Sequence, residues 1–109
     1  MAFDETLAGR IRDALARQRG VEEKKMFGGV GFLLNGNMLV GVWKNSLIVR
    51  LGEDDHEAAL SEPHVREFDI TGRPMKGWAL IAPEGIEAGD QLIGWIQRAV
   101  KFVGKLPGK

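Results

Sequence analysis

Lys24-Lys25-Met26-Phe27-Gly28-Gly29-Val30-Gly31-Phe32 decides how this chain is read, because three glycines interrupt what is otherwise an apolar strand. Glycine inside a strand weakens it, so three together mark a bulge, a bend or the close approach of another backbone. Just downstream, Asn35-Gly36 is the strongest short hairpin signal, since both residues tolerate the positive φ of a type I′ turn. Residues 24 to 34 and 37 to 43 are therefore expected to pair. Lys44-Asn45 then turns the chain into a third strand, Ser46 to Leu51.

Upstream, Asp4 is a suitable N-cap, and Leu7, Ile11, Ala14 and Leu15 recur at helical spacing, predicting an amphipathic helix over residues 4 to 19 that Gly20 ends. Downstream, Gly52 breaks the third strand. The stretch Glu53 to Leu60 reads as a short helix with carboxylates at its positive end. Val65 to Ile70 and Lys76 to Ala82 read as two more strands around the turn Gly72-Arg73-Pro74, with Pro83-Glu84-Gly85 as an exit loop. From about residue 88, Leu92, Trp95, Ile96, Ala99, Val100 and Val103 repeat at helical spacing, until Pro107-Gly108 stops the helix.

The order α-β-β-β-α-β-β-α implies a two-layer α+β fold, an antiparallel five-stranded sheet with helices on one face. The 109 residues fall within the usual range for one domain, taken as residues 1–109, and 44% hydrophobic residues suffice for a core. The chain has no cysteine, which removes thiolate metal sites and thiol nucleophiles and fits a reducing cytoplasm. Fifteen basic residues balance fifteen acidic ones, which argues against tight binding to nucleic acid by phosphate neutralisation. The N-terminus is acidic where a secretion signal would be basic, and no stretch approaches the ~20 apolar residues of a membrane span. A cytoplasmic location is expected.

Chemistry-bearing motifs are weak. Gly28-Gly29-Val30-Gly31 lacks the Gly-Lys-Ser/Thr ending of a phosphate loop and precedes a hairpin instead of a helix. His56 lies among Glu53, Asp54, Asp55 and Glu57, yet helical geometry puts too few of them on one face for a metal, and a solvated face is expected. Ser46 and Ser61 sit in no nucleophile elbow. No catalytic, cofactor or metal residue is assigned. Lys24, Lys25, Arg73 and Lys76 flank the two unusual segments beside Phe27, Met75 and Trp78. Trp78 and Phe27 are expected to fill the core while the lysines solvate strand ends.

Taken together, Lys24 to Val30, the Asn35-Gly36-Asn37 hairpin, Gly72-Arg73-Pro74-Met75 with Gly77-Trp78, and a final Trp-bearing helix ending Leu106-Pro107 resemble the TfoX/Sxy N-terminal domain family over nearly the whole chain. The resemblance implies a fold similar to the type III secretion chaperones. It also implies a link to bacterial regulators of natural competence that co-activate transcription, whose second, helical domain has no counterpart in these residues, so a stand-alone domain is expected. It carries no catalytic residues. The segments Lys25, Met26, Phe27, Gly28, Gly29 and Gly72, Arg73, Pro74, Met75, Lys76, Gly77, Trp78 mark membership and form the candidate interaction site.

The leading functional expectation is a non-enzymatic regulatory module that binds a protein partner. A rival reading is an anion or metabolite site where the glycine-bent strand meets the Arg73 to Trp78 turn, with Arg73 and Lys76 as its cations. Direct nucleic-acid binding is a third. A homodimer is also expected, because five strands present faces and edges that two substantial helices cannot all cover, and strand 46 to 51 is strongly apolar.

Overall fold

A computed structural model describes residues 4–26, 29–68 and 76–107. Helix α1 (Glu5–Ala14) starts where the Asp4 carboxylate accepts the Leu7 backbone N–H at 3.1 Å. It is shorter than the expected 4 to 19, because Leu15 is its last core residue and Ala16 to Arg19 are all exposed, leaving the next turn nothing to bury. Gly20, at φ +81°, then swings the chain into the sheet.

The sheet has six strands, not five: β1 (Val21–Met26), β2 (Gly29–Leu34), β3 (Asn37–Trp43), β4 (Ser46–Arg50), β5 (Val65–Glu67) and β6 (Trp78–Ile81). All pairs are antiparallel, in the order β1-β2-β3-β4-β6-β5. The single strand expected over 24 to 34 is really two antiparallel ones, with Met26 paired to Gly29. The Asn35-Gly36 turn forms as expected, with φ of 53° and 85°. Between Phe32 and Leu33 the register of β2 against β3 slips, so that Leu39 is an extra, bulged residue and both Leu39 and Val40 reach the core.

Helix α2 (Glu53–Leu60) follows β4, and after β6 a single 3-10 turn (Pro83–Gly85) leads to α3 (Gly89–Val103). Alternation along the strands sends Val30, Phe32, Leu34, Val42, Leu47, Val49, Ala79 and Ile81 to one face. There they pack with Leu7 and Ile11 of α1, Ala59 of α2, and Leu92, Trp95, Ile96, Ala99 and Val103 of α3. Two long-range bonds tie the ends down: the Asp4 N–H donates to the Lys44 carbonyl at 2.7 Å, and the buried Asn37 amide donates to the Pro107 carbonyl at 2.9 Å.

The opposite face carries its own small apolar cluster, Ile48, Phe68 and Leu80, with Trp43 and Trp78 against it. Trp78, expected to fill the core, is only half-buried and packs against this second cluster instead. The apolar strand 46 to 51, expected to need an outside cover, is β4. It lies between β3 and β6 with side chains buried on both faces. The edges are blunted. Glu22 to Lys25 of β1 are exposed charges, and β5 is three residues long with Arg66 and Glu67 in water.

Candidate interaction surface

The first marked segment holds the end of the β1–β2 hairpin. Lys25 is exposed opposite Val30, and Met26 pairs with Gly29. A Cβ on Gly29 would fall on the carbonyl oxygen of Val42, so glycine is required there by a neighbouring backbone. Phe27 and Gly28 lie outside the described residues.

In the second segment, Gly72, Arg73, Pro74 and Met75 also lie outside the described residues. Lys76 is exposed. Gly77 takes φ +87°, and a Cβ on it would sit 3.2 Å from the Gly52 carbonyl carbon. Its carbonyl accepts the N–H groups of Leu51 at 2.7 Å and Gly52 at 3.1 Å, fixing the passage from β4 into α2. Gly29 and Gly77 thus serve the scaffold.

The described parts of the two segments are not brought together. Gly29 borders Trp43 at one end of the sheet, whereas Trp78 pairs with Arg50 at the other. What lies between them is the second cluster. The Trp78 ring lies 5.9 Å from that of Phe68, and the Arg50 guanidinium sits 5.4 Å from the Trp78 centroid and 5.9 Å from that of Phe102. Just past β3, the Lys44 ammonium stands 4.7 Å from the Trp43 centroid. Each tryptophan is thus covered by a cation of the same chain.

On the helix side, two clefts of about 420 and 320 Å³ flank Arg98 of α3. Its guanidinium donates to Asp55 at 3.0 Å and Glu62 at 2.8 Å, both carried by or just beyond α2, and lies 4.4 Å over the Trp95 ring. Arg98 lines both clefts, and its charge is already met by two carboxylates. His64 borders the smaller cleft in a left-handed conformation, φ 67°. His56, expected on a solvated face, is 7% exposed, with Nε2 lacking any hydrogen-bond partner. Its spacing of three from Ala59 was the signal that it faces inward. Among the described residues no group of three or more His, Asp or Glu side chains is placed to hold a metal ion.

At the far end of the helix layer, Arg12 of α1 binds Glu23 of β1 through two bonds of 2.8 Å. The guanidinium hydrogen bond holds the Glu23 carboxyl below its ordinary value.

The family model for the TfoX N-terminal domain matches residues 13–103. The chain belongs to the TfoX N-terminal domain family. The matched residues of this TfoX N-terminal domain run from the last turn of α1 to the end of α3 and take in the whole sheet. No curated protein and no solved structure matches the chain. Among the described residues no helix is long and apolar enough to cross a membrane.

Proposed function

We propose that this TfoX N-terminal domain is a non-catalytic regulatory module that acts by binding a protein partner in the cytoplasm, with transcription and competence as the process it serves. The family match over residues 13–103 carries the reading, since the family is linked to competence regulation. The rival anion site loses support, because the described parts of its two segments lie at opposite ends of the sheet. Gly29 and Gly77 are occupied with backbone approach, and Arg98 is neutralised within its own fold.

Affinity capture by the tagged full chain from lysate of its native cell tests the proposal, with beads carrying the tag alone as the control. The expected result is a component of the transcription machinery enriched over the control and re-forming a complex from purified parts. Enrichment of no protein, together with thermal stabilisation by a metabolite, would overturn it. A two-fold homodimer belongs to the same proposal. Both sheet edges are blunted, so its support is Ile93 on the outer side of α3, 45% exposed. In sedimentation equilibrium, a mass staying near 12.0 kDa at all concentrations removes the dimer.

A further inference from the structure

On the face away from the helices, the strand registers set Lys24, Gly31, Gly41, Ile48, Leu80 and Arg66 side by side across all six strands. The middle of this row is closed. Ile48 and Leu80 are each 3% exposed, so no apolar groove is open to a partner. The ends are cationic and exposed: Lys24 at one and Arg66 at the other. Lys44 above Trp43 and Arg50 above Trp78 add two more positive charges. Strand alternation gives this face one carboxylate among the described strand residues, Glu22 at its corner.

Most other described carboxylates lie elsewhere. Glu53, Asp54, Asp55 and Glu57 are on α2, and Glu84, Glu87 and Asp90 lie at or near the start of α3. Cations stand on the helix side as well, but there Arg12 meets Glu23 and Arg98 meets Asp55 and Glu62, whereas Lys24, Lys44, Arg50 and Arg66 form no ion pair among the described residues. A single-sign surface selects partners of opposite charge and speeds their encounter.

Resting on the reading of the module as a protein binder, we infer that this face docks a carboxylate-rich, extended segment of a partner protein. Its length follows from geometry. Five strand spacings of about 4.8 Å separate Lys24 from Arg66, roughly 24 Å, which an extended chain covers in about seven residues. Single-stranded nucleic acid suits the face less well, because its bases need open aromatic planes. Here each tryptophan has one side against the Ile48 cluster and a cation of its own on the ring. Carboxylates need only the cations.

The test uses the isotope-labelled full chain and a synthetic peptide of about seven glutamates, followed by amide chemical shifts. Saturable binding is expected, with shifts at Lys24, Gly31, Gly41 and Arg66. Weakening by about tenfold is expected in the double variant Lys24→Glu/Arg66→Glu, in keeping with two exposed ion pairs. Both residues are exposed, and Lys24→Gln/Arg66→Gln provides a milder second variant should the first unfold. Shifts confined to the α2–α3 clefts, or no saturable binding, would overturn the inference. So would tighter binding of a thymidine oligonucleotide of matched charge, or formation of a dimer across this face. A native partner captured equally well by both variants and the unaltered chain would overturn the docking site and leave the protein-binding reading standing. Capture of no partner by the unaltered chain removes that reading itself.

Discussion

Gly29 lies so close under the carbonyl oxygen of Val42 that no side-chain atom fits between the two backbones. The neighbour is a strand backbone in the middle of a six-stranded sheet, so it cannot yield as the tip of a flexible side chain would. Gly29→Ala is expected to cost about 3 kcal/mol, at the upper end of ordinary overpacking. Urea unfolding followed by circular dichroism measures it. A midpoint equal to that of the unaltered chain would show that the β2–β3 contact relaxes freely.

Gly9 and Gly94 present the opposite case. Both sit within helices and a Cβ on either meets nothing within 4 Å. Alanine at each should raise stability by roughly 0.5–1 kcal/mol through lower unfolded-chain entropy. The same urea assay checks both, and a loss at either position would point to a neighbour or ligand using that space.

Trp78→Ala is expected to cost about 2 kcal/mol, less than the ~3–5 of a fully buried tryptophan, because the ring is half-buried in the smaller cluster. Trp95→Ala, in the main core, should reach that full range. Comparing the two melts checks the ranking. A larger loss at Trp78 would make the second cluster the principal one.

His56→Leu should hold stability level or raise it by about 1 kcal/mol, since Nε2 is buried without a partner and leucine removes the unmet polar atom at similar volume. His56→Ala should destabilise by opening a cavity. Calorimetry of the two variants decides it, and a marked loss with leucine would reveal a hydrogen bond formed by His56 in solution.

The Arg12–Glu23 pair sets a pH dependence. The Glu23 carboxyl is held below its ordinary value by the Arg12 hydrogen bond, so the folded state binds fewer protons than the unfolded chain in that range. The resulting stabilisation is complete above the unfolded carboxylate pKa of about 4.3 and fades as pH falls through the lowered folded value. The stability difference between the unaltered chain and Glu23→Gln should therefore be present at neutral pH and shrink in acid. A difference that is constant with pH would mean that the pair is open in solution.

Much of this fold was legible from local chemistry. Asn35-Gly36 announced its turn, Asp4 its cap, and the apolar stripe of Leu92 to Val103 the closing helix. The break after Met26 was not legible, because Glu22 to Lys25 form an edge strand with exposed charges on both of its faces, which hides any alternation. Nor was the sheet order, since nothing local in Ser46 to Leu51 reveals that β6 will flank it. The candidate site was half-legible. Gly77 and Trp78 stood out as unusual, but the spacing could not show that Gly77 braces Gly52 or that Arg50 crosses onto Trp78. Arg98 carries no local signal, because its partners, Asp55 and Glu62, come from α2 and the residues just beyond it, far back in the chain.

The sheet order also governs how the chain finds its structure. β1 to β4 pair each with the next in chain order, whereas Ile48 meets Leu80 only after α2 and β5 have been threaded between them. Closing that long loop costs entropy before any contact repays it, so the β4–β6 seam is expected to form late. The meander then acts as the early cooperative unit, and amide hydrogens on β2 and β3 should outlast those of β5 in native-state exchange.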